Sequence, residues 1–188
     1  MRIKYLAVAL VLFSSTASAY EVSSKLKDVM FGLRAGYLAS GTAEVEGIAA
    51  DTDASMTYGI FLDYRAAEKL YTTFHFNMHN IAAYGYDENM MDIGGAFKLI
   101  VPTSNEKITI RPGVNMGYGR LPEIPLGIFT VKSSTYFLIG PSVDLLINTN
   151  SSANILAEIG FISAPSGGNS QFEVNLNPTF YLRGGITF

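Results

Sequence analysis

Apolar residues recur at every second position in eight separate stretches of this chain, and that one periodicity excludes most folds open to 188 residues. A helix would space them by three and four, whereas a step of two sends successive side chains to opposite faces of a strand. Around residues 29–39 one row carries Phe31, Leu33, Ala35 and Tyr37, with Gly32, Arg34 and Gly36 opposite. Over 56–65, Met56, Tyr58, Ile60, Leu62 and Tyr64 oppose Thr57, Gly59, Phe61, Asp63 and Arg65. The same pattern runs over 70–79, 91–101, 108–119, 134–148, 154–162 and 172–188. In the last of these the apolar row is Phe172, Val174, Leu176, Phe180, Leu182, Ile186 and Phe188. The chain reads as all-β.

Alternation alone does not separate a soluble sandwich from a barrel. The second row does. It mixes charge with glycine and a few aromatics, which suits the confined interior of a small barrel better than a surface facing water. Hydrophobic content is 48%, yet beyond residue 19 no apolar run is long enough for a membrane helix, so the apolar groups must be displayed by strands. The connections alternate in length: 40–55 is long, 66–69 short, 80–90 long, 102–107 short, 120–133 long, 149–152 short and 163–171 long. Short turns on one side and long loops on the other are the habit of barrels that cross an outer membrane. The pattern predicts a closed, antiparallel, eight-stranded transmembrane β-barrel with both termini on the short-turn side. Pro112, Pro141 and Pro178 fall on apolar rows, where a closed barrel has no free edge to accommodate them, and predict local bulges.

The first residues set the compartment. Arg2 and Lys4 precede an apolar run from Tyr5 to Phe13, which closes through small residues to Ala17-Ser18-Ala19. That is the layout of a cleaved secretory signal over 1–19, leaving 20–188 as one domain of 169 residues (188 less 19). Losing those two basic residues moves the formal charge from −3 to −5. With no basic cluster, nucleic-acid binding is excluded. The chain has no cysteine, so an exported domain must hold together without disulfides.

The chain ends Phe180-Tyr181-Leu182-Arg183-Gly184-Gly185-Ile186-Thr187-Phe188, alternating to a terminal phenylalanine. Here it resembles the small outer-membrane β-barrel family, the OmpA/OmpX-like and opacity-type proteins. The resemblance covers the mature chain as architecture and implies residence in a bacterial outer membrane among lipid and lipopolysaccharide. It further implies that Phe180, Leu182, Ile186 and Phe188 form the signal read by the barrel-assembly machinery. The periplasmic peptidoglycan-binding domain of full-length OmpA-type proteins has no counterpart in this sequence.

Candidate chemistry lies on the inner rows. Arg34, Asp63, Arg65, Lys98, Arg111, Asp144, Glu158 and Arg183 all fall there, gathered toward the short-turn half and the middle. Charges of both signs in so small a space must pair, and the three arginines 34, 111 and 183 can reach Asp63, Asp144 and Glu158 in more than one pairing. A salt-bridged plug is expected rather than a charged conduit, because eight strands leave room for side chains and little else. His75 and His79 lie roughly 13 Å apart along one strand at about 3.3 Å per residue, too far to share a metal, and read as hydrogen-bonded interior residues. Some lipid A deacylases and palmitoyltransferases use this fold, but the positions two residues from either histidine hold Thr73, Asn77 and Ile81, not serine. A cross-strand pair such as Ser142 with His75 stays open.

Among the loops, the first is acidic, with Glu44, Glu46, Asp51 and Asp53. The third carries Leu121, Ile124, Leu126, Ile128 and Phe129, unusually apolar for a segment facing water. It is either an external binding surface or the extension of strands five and six beyond the membrane. The expected protein is a non-enzymatic, monomeric surface barrel without cofactor, serving envelope integrity or binding an external partner through its loops. The alternatives are a narrow channel or OmpW-like passage for small apolar molecules, and a lipid A-modifying enzyme.

Overall fold

The computed structural model describes residues 27–83, 86–126, 129–149, 152–171 and 173–188; the leader expected at 1–19 lies outside them. Every regular element described is a strand: β1 (Val29–Leu38), β2 (Gly41–Val45), β3 (Ile48–Thr52), β4 (Ser55–Ala67), β5 (Leu70–Ala83), β6 (Tyr86–Leu99), β7 (Val101–Pro102), β8 (Ile108–Leu121), β9 (Ile124–Leu126), β10 (Phe129–Val131), β11 (Ser134–Asn148), β12 (Asn154–Gly168) and β13 (Val174–Thr187). Eight of them, β1-β4-β5-β6-β8-β11-β12-β13, pair antiparallel in that order, and β13 returns to β1 with Leu33 opposite Ile186 and Tyr37 opposite Leu182. Phe31 and Phe188 exchange backbone hydrogen bonds of 3.3 and 2.8 Å at the seam. The barrel is closed, so no barrel strand is left with an unpaired edge.

The long connections are not irregular loops. β2 and β3 form a hairpin that adds to β13 above the barrel, with Val174 opposite Val45. Its turn, Glu46-Gly47, has φ of 51° and 77°, the left-handed pair of a type I′ hairpin turn that glycine supplies without strain. β9 and β10 make a second small hairpin within the third connection.

Each proline has a local consequence, and only one of the three is the expected bulge. Beside Pro178, between the pairs Ile162–Thr179 and Ala164–Leu176, two residues of β13 (Asn177 and Pro178) stand against one of β12 (Ser163). A second bulge lies beside Pro165, between Ile139–Ser163 and Phe137–Ser166. At Pro112 the β6–β8 ladder stops at Lys98–Gly113 and resumes at Val101–Ile110 in unchanged register. Pro141 likewise leaves a gap in the β11–β12 ladder between Ile139–Ser163 and Ser142–Gly160. In both cases two residue pairs drop out of the ladder around the missing N–H and no residue is inserted.

The two faces of the wall are inverted relative to a water-soluble protein. Outward lie Phe31, Ile60, Phe74, Ile93, Val143 and Leu182, all exposed. Inward lie Arg111, Lys98, Asp63, Asp144, Glu158 and His79, each with no exposed surface. Inward aromatics sit over glycines of the neighbouring strand: a Cβ on Gly32 would come within 2.3 Å of the Phe61 ring, and one on Gly167 within 2.2 Å of the Tyr136 ring. That is why the inner row alternates between no side chain and very large ones. Two residues correct the sequence reading. Val174 and Leu176, expected on the outer row with Phe180 and Leu182, pack inside, because the bulge beside Pro178 reverses the faces beyond it.

Candidate functional site: the barrel interior

The interior is layered. At the short-turn end Met30, Phe61, Tyr71, Ile100, Leu146 and Leu156 form a buried apolar floor. At the long-loop end Met90, Tyr136, Leu138 and Ala164 form a second apolar layer, supported by Leu121, Ile162, Val174 and Leu176. Charge occupies the space between.

Just above the floor, Arg111 of β8 donates to Asp63 of β4 across the lumen at 2.7 Å and to Asp144 of β11 at 2.8 Å. Lys98 of β6 donates to the same Asp144 oxygen at 2.7 Å, and Thr73 donates to Asp63 at 2.6 Å. Arg111 also lies over the Tyr71 ring, 5.2 Å from its centre, which ties this cluster to the floor. All four charged groups are wholly buried, so only mutual pairing makes their burial tolerable.

In the middle of the barrel, Arg34 of β1 donates to Glu158 of β12 at 2.6 Å and, through Nε and Nη2, to Asn77 Oδ1 at 3.1 and 3.0 Å. Tyr181 donates to Glu158 at 2.8 Å, and Asn115 donates to the Tyr181 oxygen at 2.8 Å. Asn77 passes the network on to Asp92, reaching both carboxylate oxygens at 3.1 Å. Asp92 completes its shell with two imidazoles, His79 Nε2 at 2.5 Å and His75 Nε2 at 3.1 Å. Both rings therefore present Nε2 to one acid, and a neutral ring then keeps its lone pair on Nδ1. Among the described residues Arg183 differs from the other buried cations. Its nearest carboxylate, Glu158, is 3.9 Å away, and it stacks on Tyr181 at 4.2 Å.

The structure thus brings together Arg34, Asp63, Lys98, Arg111, Asp144, Glu158 and Arg183 inside the barrel. Arg65 does not join them. It sits half-buried at the short-turn rim, where Nη2 donates to the Glu68 carbonyl at 2.9 Å, because the strand leaves the barrel one residue later at the Ala66 bulge. Asp92 was missed as a partner of the histidines. It lies on the neighbouring strand, and only the register of β5 with β6 (Asn77 opposite Asp92) brings it between them. Ser142 makes no hydrogen bond to His75; its hydroxyl and the His75 Nδ1 are each buried without a partner. Among the described residues no group of three or more histidine, cysteine or acidic side chains converges as a metal site.

The C-terminal residues Phe180, Leu182, Ile186 and Phe188 all point outward and are exposed. Of the third connection, Leu121 packs inward against the upper apolar layer rather than lying on an external surface. Ile124, Leu126 and Phe129 belong to the β9–β10 hairpin, but their side chains, and Ile128 as a whole, lie outside the described residues.

No protein-family model matches the sequence, and no curated protein matches it in sequence. Solved structures do. Neisserial surface protein A aligns with a TM-score of 0.64 at 14% identity, covering 86% of this chain and 96% of that one. The outer membrane protein OprG of Pseudomonas aeruginosa aligns at 0.60 and 13%, covering 86% and 97%. Ail, the attachment invasion locus protein of Yersinia pestis, aligns at 0.51 and 13%, covering 86% and 100%. The fold is that of small outer-membrane barrels. At these identities the likeness extends to architecture and to nothing finer.

Proposed function

We propose that the chain is an exported, integral outer-membrane barrel without enzymatic activity, acting at the cell surface through its external hairpins. The carrying observation is the inversion of the wall: a ring of exposed apolar side chains surrounds a lumen packed with paired charges and capped by apolar layers at both ends. A contiguous apolar belt of this extent has no stable place in water and a natural one in hydrocarbon. On this reading the short turns face the periplasm and the β2–β3 and β9–β10 hairpins face outward. The protein arrives through a signal cleaved after Ala19, is folded by the barrel-assembly machinery through its C-terminal strand, and stays monomeric among lipid and lipopolysaccharide.

The packed lumen favours a surface or envelope role over a conduit. Refolded wild-type protein in planar bilayers should show little or no steady current, whereas Glu158→Ala should leak, because it strips Arg34 and Arg183 of their shared acid. A large, stable conductance in the unmutated protein would replace this reading with a channel. Membrane placement has its own check. Ile60→Arg, on the outer row, should cost about 2–4 kcal/mol in lipid vesicles if the residue lies near the bilayer midplane. A neutral result would mean that lipid does not cover that face.

A further inference from the structure

The barrel wall is closed, but the sheet that rises from it is not. β13, β2 and β3 form a three-stranded extension in that order, and among the described residues β3 has no strand on its far side. The neighbouring wall is too short to supply one. The β4–β5 ladder ends at Thr57–His79, and carrying that register on sets Ala83, the last residue of β5, against Asp53. Residues 48–51 therefore rise past the end of β5. A two-residue turn makes its flanking pair, Val45 and Ile48, a hydrogen-bonded one, and the bonding alternates from there. Ile48, Ala50 and Thr52 thus spend their backbone groups on β2. The N–H and C=O of Ala49 and Asp51 point the other way, to the open side. Such a row is a template for another strand. Natural edges are commonly blunted by lysine, proline or a bulge, and β3 has none of these.

Charge selects the occupant. Asp51 pairs with Thr42 and Ala49 with Glu44, which pairs in turn with Asn175. These residues share one face of the extension, and Ile48 and Thr52 take the other. Glu44, Glu46, Asp51, Asp53 and Glu173 are all exposed, and no lysine or arginine lies over 41–54 or 173–177. A second copy of this edge would set acid against acid, whereas a basic strand would meet its opposite. We propose that β3 is a docking edge for an extended basic segment of another protein, which joins the sheet as a further strand. Backbone hydrogen bonds to Ala49 and Asp51 hold the segment, and its side chains decide which segment is taken. Its lysines or arginines alternate with apolar residues: the basic row falls on the face of Asp51 and Glu44, the apolar row beside Ile48. This rests on the surface role proposed above, in which the hairpin faces outward.

The test uses refolded barrel in uncharged detergent micelles and a synthetic peptide of alternating lysine and valine, about six residues long, the usual length of a strand. Amide hydrogen exchange, resolved by NMR, reads the binding. The peptide should saturate and slow exchange at Ala49 and Asp51, leaving Ile48 and Ala50, already bonded to β2, little changed. Ala49→Pro removes an N–H on the open side, where proline is tolerated, so the barrel should fold and peptide binding should be lost. Glu44→Gln with Asp51→Asn leaves the edge intact and should weaken the peptide about fivefold at low salt. Strand addition is overturned if the peptide does not saturate, or if it binds without protecting Ala49 and Asp51. It is equally overturned if a glutamate–valine peptide binds as well, or if either variant binds the lysine peptide like wild type. Protection that rises with barrel concentration in the absence of peptide would assign the edge to a second copy instead. Micelles expose both ends of the barrel, so failure there speaks against the edge and not against the way the hairpin faces. Conductance and Ile60→Arg test the outer-membrane reading without peptide, and either reading can fail alone.

Discussion

The barrel holds two charge clusters of equal make-up and unlike construction. The lower one comprises Asp63, Lys98, Arg111 and Asp144; the upper one comprises Arg34, Asp92, Glu158 and Arg183. Each contains two cations and two acids. In the lower cluster every charge lies within 2.8 Å of an opposite one, across three different strand pairs. In the upper cluster only Arg34 and Glu158 are so close; Asp92 is held by two imidazoles and an amide, and Arg183 stands 3.9 Å from its acid. Equal charge therefore does not mean equal rigidity. The lower cluster fastens opposite walls of the barrel directly above the apolar floor. The upper one is held more loosely, with Arg183 stacked on Tyr181 rather than hydrogen-bonded to an acid.

The largest effect should come from breaking the lower cluster. Arg111→Met removes the cation shared by Asp63 and Asp144, leaving Lys98 on one acid and only Thr73 on the other. Removing one partner of a buried pair strands its mate, a loss of about 3–5 kcal/mol. Urea unfolding in lipid vesicles measures it. A loss below that of any upper-cluster substitution would reverse the contrast. Asp92→Asn is the matching change above. It keeps the shape and part of the hydrogen bonding while removing the charge that two histidines address, so it should cost about 1.5–3 kcal/mol by the same measurement. A larger loss than Arg111→Met gives would show the upper cluster to be the real fastening.

The outer wall was legible in the sequence because one physical demand, apolar side chains toward lipid, acts on every second residue of every strand. Nothing so uniform governs the inside. The Arg111–Asp144 and Arg183–Glu158 neighbours follow from adjacent-strand register, but Arg111–Asp63 crosses the lumen and Arg34–Glu158 reaches past β13, and no local pattern encodes either pairing. Val174 and Leu176 were misplaced for a different reason. One inserted residue beside Pro178 reverses the faces of all that precede it, and alternation cannot reveal where the count slips. Asp92 is not legible beside the histidines because they lie far apart along their own strand, and only the neighbouring strand brings one acid between them.

Depth is the other quantity that alternation does not carry, and Arg65 is its test. It shares an inward row with Asp63, two residues away on the same strand, and by pattern alone the two are equivalent. Asp63 lies fully buried on Arg111, whereas Arg65 reaches the rim and spends its guanidinium on a turn carbonyl, half in solvent. A hydrogen bond so placed competes with water and adds little to stability. Arg65→Ala should therefore change stability by about 0.5 kcal/mol, as expected of a substitution away from any buried feature. It should also leave the bilayer as quiet as wild type, since no interior acid loses a partner. A loss near that of Arg111→Met would mean that Arg65 turns into the lumen and that the lower cluster reaches the rim. The small expected value matters because it separates two reasons for an inward charge: fastening the barrel from within, and finishing its edge.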